Sequence, residues 1–533
     1  MEVPDWRTIP RMLRDLSRDH PSDVVVDDGE VRLTLAELRD RAGRVARGLI
    51  ALGVLPGDRV AVWGPNDASW VVAAFGVWDA GAVLVPLSSR YKGIEAAATL
   101  RSTGTSVLIV GHGHDGVVLA DLLAEAAGGT AAGLPFADLP DLRHAIVPED
   151  LERPGSARPS QVLAAGSGVT LAEAEERALA VRPDDLCEII STSGTTGTPK
   201  GVMLEHAPML RGYWDWAEIV TLGPGDRYPV IAPFAHGFGL NAGLLASVMR
   251  RATMMPIGAF GPELLEDLIH DGGITILAGP PTLFHRLLQE TEIGEHSLRV
   301  AICGAASVPS ELVRRLLERL GLERMINAYG LMEGTVVSMT RADDPPEVIA
   351  STTGRPVPGV EVMIVDDEGR SVPRGGRGEV LVRGYGVMRG YWGDPGRTAE
   401  VIRDGWLHTG DVGVLDARGD LAIVDRKKEL FITGGFNVSP AEVEGLLLRE
   451  GSLSQAAVVG VPDERMGEVG CAFVVPRQGV AAEPERIIAW ARDNMSNYKV
   501  PRRVVVVGSL PVNANGKVDK RVLRARAWQV PAR

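Results

Sequence analysis

The sequence is poor in aromatic residues, in cysteine and in long apolar runs. Aromatic residues make up 5% of the 533 residues, and the three cysteines, Cys187, Cys303 and Cys471, lie far apart. Such spacing does not suit a disulfide framework or a zinc site, so we expect buried thiols in a reducing compartment. No apolar run reaches the roughly 20 residues of a membrane-spanning helix. The first residues also lack a secretion signal, which predicts a cytoplasmic protein without a membrane partner.

An excess of positive charge is also absent. The chain has 69 acidic and 56 basic residues, and its formal net charge is −13. Such a field repels nucleic acid, and the basic residues are scattered, so a nucleic-acid partner is not expected. A small anionic ligand remains compatible, because glycine-rich loops and single lysines act locally.

The length and the apolar pattern predict an α/β protein with more than one folding unit. Hydrophobic residues make up 45% of the chain, and its length exceeds what one core can organise. Leu35, Leu38, Ala42 and Leu49 share one face of a helix that Thr34 would cap. A strand near 58–63, a helix near 68–80 and a strand near 82–87 then form a β-α-β unit, the usual source of parallel sheet.

The character of the sequence changes twice after residue 182. Strand-like segments alternate with helical ones from Cys187–Thr192 to Met325–Ala328, whereas residues 354–424 read as short alternating strands with glycine-rich turns. A charged stretch near 425–428 precedes a new mixed segment. We therefore predict an N-terminal domain over residues 1–426 and a C-terminal domain over residues 427–533.

The strongest motif is Thr192-Ser193-Gly194-Thr195-Thr196-Gly197-Thr198-Pro199-Lys200-Gly201. Its glycines let backbone N–H groups converge on one point, and hydroxyls with one lysine surround that point. This combination of donors suits a polyphosphate. The run differs from the P-loop of NTPases, because Lys200 follows a proline and no helix-capping serine comes next.

This run resembles the phosphate loop of the adenylate-forming superfamily, which contains acyl-CoA ligases, peptide-synthetase adenylation domains and beetle luciferases. The resemblance extends over nearly the whole chain. It implies a large N-terminal domain of two αβ subdomains plus a β-rich subdomain, and a small mobile α+β C-terminal domain. It also implies that Thr192, Ser193, Gly194, Thr195, Thr196 and Gly197 bind the nucleotide, with Lys200 as a catalytic residue.

Two further segments resemble the acyl site of this family. The first, Pro233–Gly239, contains His236, which would stand at the wall of the acyl pocket and act in catalysis. A lone histidine among apolar residues is also often a satisfied core residue. The second contains Gly304 and Ala305, between the acyl and adenine sites. The other implied acyl-binding residues are Phe234, Phe238, Trp216 and Ala306, although aromatic residues on a helix are as often core.

The segment Asn327–Glu333 resembles the family's adenine and magnesium segment. The match implies that Tyr329 stacks on adenine, that Asn327 and Gly330 lie close to the nucleotide, and that Glu333 acts in catalysis and holds Mg²⁺, a cation that prefers carboxylate oxygen. The sequence departs from the family at Met332, which stands where a threonine hydroxyl usually meets the α-phosphate. We therefore expect the adenylation half of the reaction to be impaired.

The remaining matches lie towards the C-terminus. Asp411 corresponds to the residue that accepts both ribose hydroxyls, and Arg426 to one that contacts the nucleotide. Lys428 stands at the hinge. The glycines of the coenzyme A segment let pantetheine pass and correspond to Gly434 and Gly435, followed by Phe436. Lys517 corresponds to the catalytic lysine of adenylation.

The resemblance implies an enzyme that uses ATP, Mg²⁺ and coenzyme A, forms an acyl-adenylate and releases AMP with an acyl-CoA. Segments 233–243, 279–289 and 434–444 are similar to ligases for bulky ring-bearing propanoates from steroid breakdown and to relatives in terpenoid biosynthesis. Because of Met332, a partner ligase could supply the adenylate. Two alternatives stay open: a carrier-loading adenylation module and a non-catalytic nucleotide-binding relative. The sequence does not fix the oligomeric state, and a homodimer is compatible with it.

Overall fold

The computed structural model describes residues 3–127, 136–192, 199–280, 283–284, 287–288, 294–304, 308, 310–426, 430–477, 479–511 and 518–527. The chain divides into two compact units. Unit 1 comprises Met1–Ser89, Leu100–Ser191 and Gly201–Asp425, and unit 2 comprises Arg90–Thr99, Thr192–Lys200 and Arg426–Arg533. The last segment of unit 2 begins one residue before the predicted boundary. The other two segments of unit 2 were placed in the N-terminal domain by the sequence prediction.

Unit 1 contains a mainly parallel sheet of seven strands. In spatial order these are Gly390–Tyr391, Lys200–Glu205, Leu186–Thr192, Val83–Ser88, Arg59–Gly64, Val107–Val110 and His144–Ile146. The predicted β-α-β unit is present, because Arg59–Gly64 and Val83–Ser88 pair in parallel on either side of the helix Ala68–Asp79. The predicted cap is also present: Thr34 and Glu37 form a reciprocal capping box on the helix Leu35–Ala51.

Two other sheets complete the αβ part of unit 1. One has the order Arg32–Thr34, Val24–Asp27, Thr253–Pro256 and Arg227–Val230. The other has the order Ile276–Gly279, Val300–Gly304, Arg324–Leu331, Thr335–Met339 and Arg355–Pro356, and its first three strands are parallel. The accompanying helices are Ile9–Asp19, Leu119–Ala126, Pro159–Gly166, Leu171–Ala180, His206–Val220, Ala246–Arg250, Pro262–His270, Ser310–Arg319 and Pro346–Ser351, with a π-helix at Phe238–Leu245 and a short 3₁₀ turn at His114–Gly116. The helix Gly93–Thr103 has residues in both units.

The β-rich part of unit 1 is a sheet of five strands whose established pairings are antiparallel. Its strands are Val360–Val365, Arg377–Gly384, Trp406–Leu415, Ile402–Arg403 and Leu421–Arg426. The helix Pro395–Val401 comes directly before the strand Ile402–Arg403 in the chain. A large hydrophobic core of aliphatic and aromatic side chains fills unit 1, and a second core packs around the helix Ser310–Arg319. The predicted α/β class with a β-rich part is therefore confirmed. Among the described helices, none is both long and apolar enough to cross a bilayer.

Unit 2 is built on one sheet covered by helices. The strands are Phe436–Val438, Phe431–Thr433, Gly467–Pro476, Leu453–Asp463 and Arg503–Val506, and only the last pairs in parallel with its neighbour. The helices are Pro440–Leu447, Pro484–Asn494 and Lys520–Ala527, with a 3₁₀ turn at Leu448–Glu450. Two apolar clusters fill this α+β unit, as predicted for the smaller domain.

A buried group of charges organises unit 2. The Lys499 Nζ lies 2.6 Å from the Glu95 Oε1 and 2.6 Å from the Glu442 Oε1. Burial alone would lower the pKa of Lys499, but the two carboxylates outweigh it and raise that pKa well above its usual value. Ser496 adds hydrogen bonds to Glu95 from its backbone N–H and its hydroxyl, at 3.0 and 2.8 Å. The ammonium group therefore holds two carboxylates that water does not reach.

We predict that Lys499→Met destabilises unit 2 by about 3–5 kcal/mol, because it leaves two buried carboxylates without their cation. Glu95→Gln is the matched control, since it retains the pair of Lys499 with Glu442 and should cost clearly less. Denaturant-dependent hydrogen exchange of peptides from residues 430–511 measures both. Equal protection of the two variants would contradict the assigned role of Lys499.

Candidate active site

The candidate site of unit 1 begins where two parallel strands end. Val300–Gly304 and Arg324–Leu331 run in register, with Gly304 beside Ala328. A Cβ added at Gly304 would lie 3.2 Å from the carbonyl oxygen of Ala328, so the edge admits only a small residue there. Ligands of α/β proteins bind outside the carboxyl ends of such strands. The predicted nucleotide residues Gly304 and Tyr329 are thus placed at a suitable edge.

Tyr329 and Asp411, which are 82 positions apart, meet in the structure. The Tyr329 hydroxyl donates a hydrogen bond of 2.6 Å to the Asp411 Oδ2. The backbone N–H of Asp411 donates to the Thr409 Oγ1 at 3.1 Å, and the Thr409 hydroxyl donates to the carbonyl of Val380 at 2.7 Å. Asp411 is therefore fixed from two sides, and its carboxylate presents acceptors that suit the hydroxyls of a ribose.

Asn327, on the same strand as Tyr329, is held by hydrogen bonds to neighbouring segments of unit 1. Its side-chain amide donates to the carbonyls of Ile349 and Thr352, at 3.0 and 2.9 Å, and its backbone N–H donates to the Thr340 Oγ1. Both amide hydrogens are thus used inside the protein, which leaves only the Oδ1 for a ligand. The structural role of Asn327 is clear, and its proximity to adenine stays a prediction.

Glu333 is held by a tyrosine that the sequence did not indicate. The Tyr391 hydroxyl donates to the Glu333 Oε1 at 2.8 Å. Burial first, and then the carboxylate, raise the pKa of Tyr391, which therefore remains a donor. The second oxygen of Glu333 is a hard ligand of the kind that Mg²⁺ prefers, and Mg²⁺ is usually held by one or two carboxylates together with phosphate oxygens. A cluster of three metal-ligating side chains is absent from the described residues, so Glu333 fits Mg²⁺ only together with a phosphate ligand.

Met332 packs towards the segment of His236. A Cβ added at Gly237 would lie 2.8 Å from the Met332 Sδ, so the thioether occupies the space that a side chain at 237 would need. The backbone N–H of Phe238 donates to the His236 Nδ1 at 3.2 Å, which places the hydrogen of the neutral ring on the Nε2. His236 is exposed, although the surrounding protein lowers its pKa by desolvation. The imidazole is thus a neutral group at the surface of unit 1.

The predicted acyl-binding aromatic residues differ in exposure. Phe234 is buried, with its ring 4.9 Å from that of Trp70. Trp216 is buried as well and stacks on Tyr228 with ring centres 6.4 Å apart. Phe238 is partly exposed, and its ring meets the edge of Trp216 at 6.3 Å. Phe238 is therefore the one of the three with surface available to a ligand, and of the two buried rings Trp216 packs against it.

Unit 2 contains Thr192, Lys200 and Arg426. Thr192 ends the strand Leu186–Thr192, and Lys200 begins the strand Lys200–Glu205. Arg426 is the last residue of a strand. The predicted residues outside the described part of the chain are Ser193, Gly194, Thr195, Thr196, Gly197, Ala305, Ala306, Lys428 and Lys517.

The predicted coenzyme A segment forms a tight turn in unit 2. Gly434 and Gly435 have φ angles of +56° and +87°, which L side chains rarely adopt. The space beside Gly435 is open, with no heavy atom within 4 Å of an added Cβ. Phe436 stacks on Tyr498 with ring centres 4.4 Å apart. The guanidinium carbon of Arg90 lies 4.9 Å from the centre of the Phe436 ring. The ring of Phe436 is therefore held between a second aromatic ring and a cation, and its role towards coenzyme A stays a prediction.

The chain belongs to the family of AMP-binding enzymes. The model of the AMP-binding enzyme family matches residues 13–392, and the model of the AMP-binding enzyme C-terminal domain matches residues 442–517. The resemblance inferred from the sequence motifs is thereby confirmed.

Similar proteins cover the whole chain. A 3-[(3aS,4S,7aS)-7a-methyl-1,5-dioxo-octahydro-1H-inden-4-yl]propanoyl:CoA ligase of Rhodococcus jostii is 44% identical over 97% of this chain and 98% of its own length. A feruloyl-CoA synthase of an Amycolatopsis species is 35% identical over 96% of this chain and 97% of its own. The structure of the amide bond synthetase McbA from Marinactinospora thermotolerans matches with a TM-score of 0.80 and 29% identity, over 97% of this chain and 99% of that one.

We predict that Asp411→Asn weakens AMP binding by about tenfold to a hundredfold, because it removes a charge-assisted hydrogen bond worth roughly 1.5–3 kcal/mol. Tyr329→Phe removes the hydroxyl that orients Asp411 but retains the aromatic ring and the carboxylate, so it should weaken AMP binding less than Asp411→Asn does. Titration calorimetry with AMP measures both variants. Wild-type affinity in Asp411→Asn would refute the ribose assignment.

Proposed function

We propose that this chain is an AMP-forming acyl-CoA ligase that acts through an acyl-adenylate on a ring-bearing propanoic acid. The observation that carries the proposal is the 44% identity, over almost the full length of both chains, with a ligase named for a fused-ring propanoyl group. The hydrogen bonds that fix Asp411 and Glu333, both in unit 1, support the nucleotide part of the reaction.

The first half-reaction joins the acid to AMP. An oxygen of the substrate carboxylate attacks the α-phosphorus of ATP, the bond to the β-phosphate oxygen breaks, and pyrophosphate leaves. Tyr329 offers its ring to adenine and Asp411 accepts the ribose hydroxyls, so that the α-phosphorus is positioned. Glu333 would hold Mg²⁺, which neutralises phosphate charge when it is bound. Lys200 and Lys517 are the residues that we expect to offset the charge of the joining groups.

The second half-reaction transfers the acyl group to coenzyme A. The thiol sulfur attacks the acyl carbon of the adenylate, loses its proton, and AMP leaves with the electrons of the broken acyl–phosphate bond. Gly434 and Gly435 provide a backbone path for pantetheine in this proposal, and Phe436 provides a ring beside it. Lys428 is the residue about which the C-terminal domain would rotate between the two half-reactions.

The two half-reactions should differ in rate because of Met332. The side chain lies against Gly237 and offers no hydroxyl to an α-phosphate. The pentavalent phosphorus gains charge during adenylation, whereas attack by the thiol develops charge at the acyl carbon. The missing donor therefore weakens the first half more than the second. A partner ligase that supplies the adenylate would complement such an enzyme.

The alternatives receive less support. Relatives named as CoA ligases and synthases align over nearly all of this chain and of their own lengths. A carrier-loading module would have its relatives among carrier-loading proteins instead. A non-catalytic relative has no need for a fixed Asp411 and a fixed Glu333, and both are fixed here.

The substrate class is tested by comparing acids. We predict that a fused-bicyclic propanoic acid binds at least about tenfold more tightly than octanoate, because about 60 Å² of additional apolar burial at roughly 25 cal/mol per Å² gives that factor. Calorimetric titration of each acid, followed by mass detection of its CoA ester with ATP and CoA, provides the measurement. Tighter binding and faster turnover of octanoate would overturn the proposed class.

The role of Met332 is tested by Met332→Thr. We predict faster pyrophosphate release from ATP and acid, by about tenfold to a hundredfold, since the new hydroxyl adds a charge-assisted bond of roughly 1.5–3 kcal/mol. Thioester formation from supplied adenylate should change little. Met332→Leu is the matched control, because it retains an apolar side chain without adding a donor. If wild type and both variants release pyrophosphate equally fast, the proposed impairment is wrong.

A further inference from the structure

A carboxyl group and an amide are buried together behind the acyl-pocket wall. Glu188 lies on the strand Leu186–Thr192, where it pairs with Leu84 of the neighbouring strand, and none of its surface reaches water. Asn241 lies in the π-helix Phe238–Leu245 and is 1% exposed. The Asn241 Nδ2 donates to the Glu188 Oε1 at 2.7 Å. The contact thus joins the strand that leads to the phosphate loop to the helix that follows His236.

The second pair of atoms in this contact consists of two acceptors, while the side-chain amide of Asn241 also forms a hydrogen bond with Tyr213. Among the residues that the structure describes, neither the Glu188 Oε2 nor the Asn241 Oδ1 has a hydrogen-bond partner, and both atoms are buried. A buried polar atom without a partner costs about 1–3 kcal/mol. One proton on the carboxyl group would satisfy both atoms, because a carboxylic acid and a carboxamide can exchange two hydrogen bonds face to face.

The surroundings favour that proton. Desolvation raises the pKa of Glu188 from its ordinary value of 4.5 to about 7, and the hydrogen bond from Asn241 opposes this shift. The titratable neighbours are Cys187, on the same strand, and Tyr213, on the helix His206–Val220. Burial and then Glu188 raise the pKa of both, so both stay neutral. Among the described residues, no cation contributes to the pKa of Glu188.

The position of Asn241 connects the pair to the site. A Cβ added at Gly237 would lie 3.8 Å from the Asn241 Nδ2 and 2.8 Å from the Met332 Sδ. Gly237 therefore lies close to both the amide and the thioether, next to His236 in the chain. π-helices are frequent at functional sites, and this one has its buried amide at the contact with Glu188.

We propose that Glu188 is protonated in the folded enzyme and forms a reciprocal pair with Asn241 that positions the acyl-pocket wall. Glu188 is thus a positioning residue, which acts on the substrate through Asn241 and the segment of residues 236–238. Its effect on acid binding rests on the proposed function, whereas its protonation does not.

The pH dependence follows from the raised pKa of Glu188. Between about pH 4.5 and 7 the folded protein holds a proton that the unfolded chain releases. The contribution of Glu188 to stability is therefore complete below pH 4.5 and is lost as the pH rises towards 7. Above about pH 7 the carboxyl group ionises in the folded enzyme, the pair loses its second hydrogen bond, and the KM for the acid rises.

The test compares wild type, Glu188→Gln, Asn241→Leu and Glu176→Gln, an exposed control on the helix Leu171–Ala180. Glutamine can make both hydrogen bonds of the pair without titrating. We expect an infrared band of a protonated carboxyl group at pH 6 in wild type and Glu176→Gln that is absent from Glu188→Gln. We also expect Glu188→Gln to retain kcat and to lose the rise of KM above pH 7. Asn241→Leu should raise the KM for the acid at least tenfold at every pH with a smaller change in kcat.

Two results would overturn the inference. One is the absence of the protonated band from wild type at pH 6. The other is a pH dependence of thermal stability, measured from pH 4.5 to 8, that is the same in wild type and Glu188→Gln. Neither measurement needs substrate, so an enzyme that shows the band but makes no CoA ester from ring-bearing acids would contradict the proposed function alone.

Discussion

The hydrogen bond from Tyr329 to Asp411 is the contact on which the proposed nucleotide site depends. It joins the end of a parallel strand in an αβ part of unit 1 to a strand of the antiparallel sheet. Neither sheet provides both groups, so the site exists only because the two sheets fold against each other. Glu333 lies two residues beyond the end of the same strand, where the hydroxyl of Tyr391 holds its carboxylate.

Much of this architecture could be predicted from the chain itself. The capping box of Thr34 with Glu37 and the strands flanking Ala68–Asp79 depend on local periodicity and on short-range hydrogen bonds, which the sequence displays directly. Tyr329 and Asp411 could be predicted as site residues because each lies in a motif that resembles a known family, and the structure shows that the two side chains are in contact. The α/β class and the family were confirmed on these grounds.

Other features depend on contacts between residues far apart in sequence, and no local pattern indicates them. Tyr391 reaches Glu333 across 58 positions, and Lys499 reaches Glu95 across 404. Burial could not be assigned to the aromatic residues either: Phe234 and Phe238 are four positions apart in one motif, yet only Phe238 is partly exposed. The assignment of segment 90–99 to unit 2 likewise depends on such long-range contacts.

The polar groups of unit 1 change from charged to neutral between the predicted nucleotide residues and the predicted acyl-pocket wall. The nucleotide end presents the carboxylates Asp411 and Glu333, each fixed by a hydroxyl donor. Towards the acyl wall the groups become neutral: His236 has a lowered pKa, Met332 replaces a hydroxyl with a thioether, and the acid of Glu188 is shielded from water. A low-dielectric wall with no fixed charge attracts an apolar ring system and strengthens the electrostatic interactions of the carboxylate that the ring carries. The same gradient therefore serves both ends of a substrate that is charged at one end and apolar at the other.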